Sequence, residues 1–216
     1  MRIVTAAEMK QIEKNANDSG LSYYDMMENA GRGAAEYIKS NTKDFETKLC
    51  LICVGAGNNG GDGYVAARVL KELGGSPIIM MACGEPKTPD AIKNFELAKE
   101  IGIEIIAFEP DSAQKSMAVI YGCEVIVDCV YGTGFHGELR ENVRPLFDII
   151  NNSDAVKFAV DIPSGVPDSG APAEGAIKAD HTIAIDSLKH AHISALDHCG
   201  KITTIDIGIP EECHNL

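Results

Sequence analysis

Glycines and oxygen-bearing side chains are concentrated in residues 55–63, GAGNNGGDG. Glycine permits positive φ and a close approach of the backbone to a ligand, so five glycines in nine residues predict a loop shaped around a bound group. An apolar run, Leu49–Val54, precedes the segment, and residues 64–70 follow it with helical spacing. Because unpaired amides at a helix start bind anions, we predict that the amides of residues 60–63 hold a phosphate.

Two alternatives to this phosphate site remain open from these residues alone. The spacing Gly-x-Gly-x-x-Gly at residues 55–60 also fits the loop of an ordinary dinucleotide-binding oxidoreductase, whereas the lack of a following Gly-Lys-Ser/Thr excludes a P-loop. A simple pyrophosphate site does not require Asn58, Asn59 and Asp62. The two Asn could be turn residues and Asp62 a helix N-cap.

Polar residues also lie at the carboxyl ends of two later apolar strands. Asp128 lies in the predicted strand 124–130, and Asp161 follows the predicted strand 157–160, with Ser164 three residues on. Parallel α/β sheets bind ligands at the carboxyl ends of their strands. Asn59, Asp128 and Ser164 could converge there as oxygen ligands with one formal negative charge, which favours K⁺ over Ca²⁺ or Mg²⁺. Capping or turn roles are the alternative for Asp128 and Ser164.

Composition narrows the class of protein. The chain has 216 residues, 45% of them hydrophobic, and we expect a single domain over residues 1–216. The net charge of −13 works against binding to nucleic acid or to an anionic membrane surface. No apolar run reaches membrane-spanning length and the first residues do not resemble a signal peptide, so we expect a cytoplasmic protein. Seven cysteines, an odd number, indicate reduced and buried thiols.

The order of predicted elements indicates an α/β fold with a mostly parallel sheet. Capping patterns at Thr5 and Ser22 begin two N-terminal helices, which we expect to pack on the sheet or on another subunit. Apolar strands then alternate with helices that start near Thr88 and residue 143. The predicted strands cover residues 49–54, 76–82, 103–108, 124–130, 157–160, 181–185 and 202–207.

Three motifs taken together resemble one family. They are GNNGGDG at residues 57–63, Asp128-x-x-x-Gly132-Thr133-Gly134-Phe135, and Asp161-Ile162-Pro163-Ser164-Gly165. Residues 27–31, MENAG, and 206–210, DIGIP, extend the similarity over nearly the whole chain. With these motifs the chain resembles the NAD(P)HX epimerases, which have the YjeF N-terminal domain.

This resemblance implies a Rossmann-like three-layer α/β/α sandwich and an isomerase. Its substrates would be NADHX and NADPHX, nicotinamide cofactors hydrated at C6, whose R and S epimers it interconverts for an ADP- or ATP-dependent dehydratase on another chain. It also implies a homodimer with one K⁺ per subunit, held by Asn59, Asp128 and Ser164. Asp161 would be the catalytic acid–base. The implied cofactor-binding residues are Asn58, Asn59, Gly60, Gly61, Asp62, Gly132, Thr133, Gly134, Phe135, His136, Gly137, Glu138 and Asp161.

One segment departs from the family pattern. Where relatives often have Pro-Lys-x-Gly after the penultimate strand, this chain has residues 188–191, LKHA, so the sequence assigns that loop no role. His190, His192, His198 and Cys199 match no common zinc spacing, and we expect surface histidines there.

Two other classes of function compete with the epimerase. A non-catalytic dimerising scaffold or ligand-binding module could share this fold, but the acidic and oxygen-ligand positions would then be free to disappear, and all of them are present. An ordinary NAD-dependent dehydrogenase should carry an acid at the end of its second strand, where this chain has Cys83 and Gly84 before Glu85.

Overall fold

The structure, a computed structural model, describes residues 2–169 and 171–216. The strands of this part of the chain are β1 (Ile3–Val4), β2 (Leu49–Val54), β3 (Ser76–Met81), β4 (Glu104–Ala107), β5 (Val125–Cys129), β6 (Val156–Val160), β7 (His181–Ile185), β8 (Leu188–Lys189) and β9 (Lys201–Ile205). Its α-helices are α1 (Ala6–Asp18), α2 (Tyr23–Ser40), α3 (Asn58–Glu72), α4 (Pro89–Glu100), α5 (Ala113–Tyr121), α6 (Arg144–Asn151), α7 (Ala191–Ser194) and α8 (Leu196–Cys199). Short 3₁₀ turns cover Phe45–Thr47, Pro110–Ser112 and Glu211–His214.

The central sheet has seven parallel strands in the order β4-β3-β2-β5-β6-β7-β9. Both of its faces are buried. Cys50, Ile52 and Val54 of β2 pack in the core shared with α1, α2 and α3, whereas Leu51 and Cys53 pack in the core shared with α5 and α6. A strand buried on both sides reads as a continuous apolar run, which is why the predicted strands could be located. The three-layer α/β/α sandwich is confirmed.

The order of the strands places a crevice beside β2. From β2 the chain adds β3 and β4 on one side, and then returns to add β5, β6, β7 and β9 on the other. The strand order therefore reverses between β2 and β5, and ligands of open α/β sheets bind at the carboxyl ends of the strands at such a point. The start of α3 and Asp128 both lie there.

The N-terminal segment packs on its own chain. A capping box between Thr5 and Glu8 begins α1. β1 pairs with β8 as a separate two-stranded parallel sheet, with Val4 opposite Lys189. α2 lies against α3 at Gly31, where an added Cβ would stand 2.4 Å from Cβ of Val65. Because β1 directly precedes α1, its pairing with β8 holds the first helix next to the segment that contains Lys189.

The start of α3 differs from the prediction. The helix begins at Asn58, six residues earlier than the apolar spacing indicated, and no glycine of residues 57–63 has positive φ. Close packing explains the glycines instead. A Cβ at Gly60 would lie 2.0 Å from the carbonyl oxygen of Gly55, and one at Gly63 would lie 2.8 Å from Cβ of Cys129. The glycines let the first turns of α3 lie directly on the ends of β2 and β5.

Five helices and strands of the described residues were not predicted. α5, α7 and α8 have no side-chain hydrogen bond at their N-caps, and β1 and β8 are two residues long, so each lacks the local pattern that marks a helix or strand. No helix of the described residues is both long and apolar enough to cross a membrane.

Candidate active site

A cleft of about 700 Å³ opens at the carboxyl ends of β2, β5 and β6. Its walls are the first turn of α3, most of the loop after β5, and the side chains of Ile185 and Lys189, and Met9 and Glu13 of α1 close one side. A second hollow, of about 750 Å³, lies at the opposite end of the sheet among the residues that precede β5 and β6. It contains none of the predicted site residues, so the first cleft is the candidate site.

Asp161 follows β6 with its backbone in the left-handed region, at φ 69°. This conformation is unfavourable for a residue other than glycine. Two hydrogen bonds fix it: the Asp161 amide donates to the carbonyl of Ile183 at 2.8 Å, and its carbonyl oxygen lies 2.6 Å from Nε2 of His192. Backbone strain held in this way is typical of functional sites. Asp161 is only 7% exposed, and its side chain lines the cleft.

The Asp161 carboxylate forms an ion pair with Lys189. Oδ1 lies 2.8 Å from Nζ of Lys189, although the angle at this contact falls outside hydrogen-bond geometry. Oδ2 accepts a hydrogen bond of 3.1 Å from the amide of Thr133. Lys189 is 1% exposed, and its ammonium also donates to the carbonyl of Ile185 at 2.6 Å. A carboxylate and an ammonium so placed can transfer a proton and stabilise charge on a reacting oxygen.

His192 is buried, so the expectation of surface histidines is wrong at this residue. Nδ1 accepts a 2.8 Å hydrogen bond from the Lys189 amide, which assigns the proton to Nε2, and Nε2 donates to Asp161. Burial lowers the pKa of His192, in agreement with a neutral ring. His192 therefore ties together the backbones of the two ion-paired residues.

Asp128 has a different environment from Asp161. It is buried in β5, where Oδ1 accepts hydrogen bonds from Oγ of Ser164 at 2.6 Å and from the amide of Val130 at 3.1 Å, and Oδ2 accepts one from the Ser164 amide at 2.7 Å. Burial raises the pKa of Asp128 to about 6, against the opposing effect of these hydrogen bonds. These bonds join the ends of β5 and β6.

Asn59 reaches the same place from α3. Its Nδ2 donates to the carbonyl of Tyr131 at 3.1 Å, and Ser164 Oγ lies 3.2 Å from that oxygen. Within the described chain, Oδ1 of Asn59 is buried without a hydrogen-bond partner. An amide oxygen, a carboxylate and a hydroxyl form an all-oxygen ligand set, which suits a hard cation rather than zinc. Asn59, Asp128 and Ser164 therefore fit the predicted K⁺ site.

The first amides of α3 face the cleft. Gly57 is the N-cap and Asn58 and Asn59 line the cleft, whereas the Gly61 amide already donates to the carbonyl of Gly57 at 3.2 Å. An anion in the cleft would thus meet the amides of residues 58 and 59, whereas residues 60–63 were predicted. Gly60 and Gly61 are buried and do not line the cleft. A Cβ at Gly61 would lie 2.5 Å from Cε of Met27, so this glycine serves helix packing.

Asp62 lies inside α3 and lines the cleft, so its alternative assignment as an N-cap is wrong. Burial, with the negative charges of Asp161 and Glu13, raises the pKa of Asp62 well above its usual value. A raised pKa of Asp62 weakens the repulsion between this acidic residue and an anion at the nearby helix start.

The loop after β5 supplies most of the remaining predicted residues. Those that line the cleft are Gly132, Thr133, Gly134, Phe135, His136 and Glu138, while Gly137 does not. A Cβ on Gly132 would lie 2.9 Å from Oδ2 of Asp161, so glycine is needed there. Phe135 stacks on Tyr131 with ring centroids 5.3 Å apart.

The sequence alone did not identify several residues of the cleft. Lys189 was in place but the residues around it departed from the family pattern. Glu13 lies four residues after Met9 on α1, and that spacing on a buried stripe is the signal that could have found it. Lys87 and Arg140 are exposed at the cleft and bring positive charge to a strongly acidic protein.

Comparison with known proteins identifies the family. The model of the YjeF-related protein N-terminus matches residues 23–191. The chain is 34% identical to the NAD(P)H-hydrate epimerase of Elusimicrobium minutum, covering 98% of each chain. It is 38% identical to the bifunctional NAD(P)H-hydrate repair enzyme Nnr of Archaeoglobus fulgidus, covering all of this chain and 44% of that protein.

The structural comparison agrees with the sequence comparison. The crystal structure of yeast ynu0 superposes with a TM-score of 0.84 at 19% identity, covering all of this chain and 94% of that one, which shows a shared fold. The chain spans less than half the length of the Archaeoglobus relative. A family match over most of the chain, with a full-length relative above 30% identity, shows that this protein belongs to the YjeF-related N-terminal family.

Proposed function

We propose that this protein is an NAD(P)HX epimerase, which interconverts the R and S epimers of NADHX and NADPHX. The observation that carries the proposal is the buried ion pair of Asp161 and Lys189, which faces a cleft with anion-binding amides at its edge. The names of the relatives support the same activity. A scaffold without catalysis would have no need of a strained, ion-paired Asp161 in an open cleft.

The cleft offers separate surfaces for the two ends of such a substrate. The pyrophosphate would meet the amides of residues 58 and 59, with Lys87 and Arg140 to offset the negative charge of the protein. The hydrated nicotinamide ring would lie between the loop that contains Phe135 and the carboxylate of Asp161. This arrangement assigns substrate binding to Asn58, Asn59 and the loop of residues 132–138.

The chemistry requires a proton donor and acceptor beside C6 of the ring. The C6 hydroxyl is next to the ring nitrogen, so epimerisation can pass through a planar iminium after loss of the hydroxyl group or through ring opening. Both routes move a proton to and from that oxygen, and a carboxyl group can donate or accept it according to its protonation state. We assign proton transfer to Asp161, with the Lys189 ammonium holding the carboxylate in place.

We further propose one K⁺ per subunit, held by Asn59, Asp128 and Ser164. The unpartnered Oδ1 of Asn59 and the all-oxygen character of the site support this assignment. A cation there would fix the amide of Asn59 at the start of α3 and would favour the ionised form of Asp128.

The setting of the enzyme is part of the proposal. We expect a homodimer in the cytoplasm whose product passes to an ADP- or ATP-dependent NAD(P)HX dehydratase. Some relatives are named bifunctional repair enzymes, which is consistent with such coupling.

A chromatographic assay tests the proposed activity. Purified R hydrate of NADPH or NADH is incubated with and without the protein, and the two epimers are separated over time. The proposal predicts faster approach to the R/S equilibrium with protein than in buffer, and loss of that acceleration in Asp161→Asn. Equal rates with and without the wild-type protein, at near-stoichiometric enzyme, would leave the scaffold as the better description.

A further inference from the structure

Glu13 lies in the candidate active site without a role in the chemistry derived so far. It projects from α1 into the cleft, one turn after Met9, which lines the same wall. The segment is held in place: Val4 of β1 is paired with Lys189, and the amide of Ala6 donates to Asp168 Oδ2 at 2.9 Å. The carboxyl group is therefore fixed relative to the ion pair, not carried on a loose terminus.

The charged groups that face Glu13 come from several elements. They are Asp161 after β6, Asp186 after β7, Lys189 on β8, Asp62 on α3 and Lys10 on its own helix. Burial and the nearby negative charges of Asp161 and Asp186 raise the pKa of Glu13 to about 7, against the effect of the two lysines. No hydrogen bond within the described residues contributes to that shift. Glu13 thus faces the cleft as an acid that is partly protonated near neutral pH.

Epimerisation at C6 has a geometric requirement that one carboxyl group does not meet. The hydroxyl must leave from one face of the ring and a hydroxyl must be added to the other face. A carboxylate on the floor of the cleft reaches only one face of a ring held in a fixed position. A second proton-transfer group is needed on another wall, and α1 provides that wall.

We infer that Glu13 and Asp161 act as a pair of acid–base groups, one for each face of the hydrated ring. The inference rests on the proposed epimerase function. In one direction Glu13 gives its proton to the C6 hydroxyl, the C–O bond breaks and water leaves, and the lone pair of the ring nitrogen forms the C=N bond of an iminium. Water then adds to the opposite face, the π pair returns to nitrogen, and Asp161 accepts the proton of the added water. The reverse direction exchanges the two roles.

The mechanism fixes the protonation state of the active enzyme. The pair must hold a single proton in both directions, since one group donates while the other accepts. Loss of that proton at high pH stops turnover. The wild-type rate should therefore fall about tenfold per pH unit above a midpoint near the value at which Glu13 loses its proton.

The test compares Glu13→Gln and Glu13→Asp with Asp18→Asn, a control at the exposed end of the same helix. Epimerisation of the R hydrate is followed from pH 5 to 9, with thermal melts to verify folding. Glu13→Gln should lose roughly 10²- to 10³-fold in kcat with KM within about threefold of wild type, and its residual rate should lack the alkaline fall. Glu13→Asp should have a kcat at least tenfold higher than that of Glu13→Gln, and its rate should again decrease at alkaline pH. The control Asp18→Asn should match wild type.

Several results would overturn the inference. A folded Glu13→Gln variant within about fivefold of wild type, or one that keeps the alkaline fall, removes Glu13 from proton transfer. If Glu13→Gln does not fold, the comparison uses Glu13→Asp. A pH–rate profile of that variant with the same alkaline midpoint as wild type also removes Glu13 from proton transfer. A wild-type protein with no epimerase activity overturns the proposed function itself, whereas normal wild-type activity with an unaffected variant overturns only the role of Glu13.

Discussion

Two aspartates at neighbouring strands, Asp128 and Asp161, differ in their backbone conformation, in their partners and in their access to the cleft. Asp128 lies within β5 and accepts hydrogen bonds from Ser164 and Val130, and it forms no ion pair with a lysine, arginine or histidine of the described residues. Asp161 follows β6 in a strained conformation, forms an ion pair with Lys189 and faces the cleft. The first suits a fixed ligand of a bound cation and the second a group that exchanges protons.

The comparison shows that the partners of a buried carboxylate decide its chemistry. Hydrogen-bond donors in fixed positions hold Asp128 in one place, and its two oxygens accept three hydrogen bonds from the protein. The partner of Asp161 is an ammonium that is itself held by the carbonyl of Ile185, and the Asp161 side chain lines the cleft. Substitutions at the two aspartates and at their neighbours should therefore have different effects on activity and on stability.

The largest effect is expected for Asp161→Asn. The amide is nearly the same size as the carboxylate but exchanges no proton, so epimerisation should slow by roughly 10² to 10⁴ while folding is retained. Chromatography of the two epimers measures the rate, and binding of the unhydrated cofactor verifies the site. Activity within a few-fold of wild type would remove Asp161 from the mechanism.

Lys189→Met should affect stability as well as rate. The substitution keeps most of the length of the side chain and leaves a buried carboxylate without its partner, which costs about 3–5 kcal/mol of unfolding free energy. Combining Lys189→Met with Asp161→Asn removes both charges, and we expect most of the stability to return without the activity. Urea unfolding of the three variants provides the measurement. A double variant no more stable than Lys189→Met would mean that the pair contributes no electrostatic stabilisation.

The potassium prediction concerns Asp128. At equal ionic strength, K⁺ should raise the thermal stability more than Na⁺ does, because an ion that binds only the folded state stabilises it by mass action. Asp128→Ala should abolish the difference, and Asp161→Asn should keep it. Indifference of the wild-type protein to the identity of the salt would exclude the site.

The smallest effect is a pH-dependent stabilisation by Glu13→Gln. Because folding raises the pKa of Glu13 from 4.5 to about 7, the folded state binds more protons than the unfolded state between these values, and Glu13 costs stability as pH rises through that window. The glutamine variant should be more stable than wild type at pH 8, by on the order of 1 kcal/mol, with a smaller difference at pH 4. Melts at the two pH values measure this, and the opposite sign would show that the carboxylate is stabilised in the fold.

The sequence predicted the layers of the fold better than the walls of the cleft. Strands such as β2 and β5 are apolar on both faces and could be located from that property, and the polar residues that follow three strand ends lie at one cleft. Lys189 and Glu13 were missed because their roles depend on β1 pairing with β8, a contact between residues far apart in the chain. No local pattern encodes that pairing.

The glycine-rich segment shows a second limit of sequence analysis. Five glycines were interpreted as freedom of the backbone around a phosphate, but Gly60, Gly61 and Gly63 are needed because neighbouring atoms leave no room for a side chain. Both requirements produce the same residue type. Only the packing of α3 on the strand ends distinguishes them.

The most direct test of the division between the two aspartates is a K⁺ titration of the epimerisation rate in the wild type, Asp161→Asn and Asp128→Ala. We predict that Asp161→Asn keeps the wild-type half-saturation by K⁺ and reaches a plateau roughly 10² to 10⁴ lower, whereas the rate of Asp128→Ala does not respond to K⁺. An Asp161→Asn plateau within a few-fold of wild type, or an Asp128→Ala variant with the normal K⁺ response, would contradict the assignment.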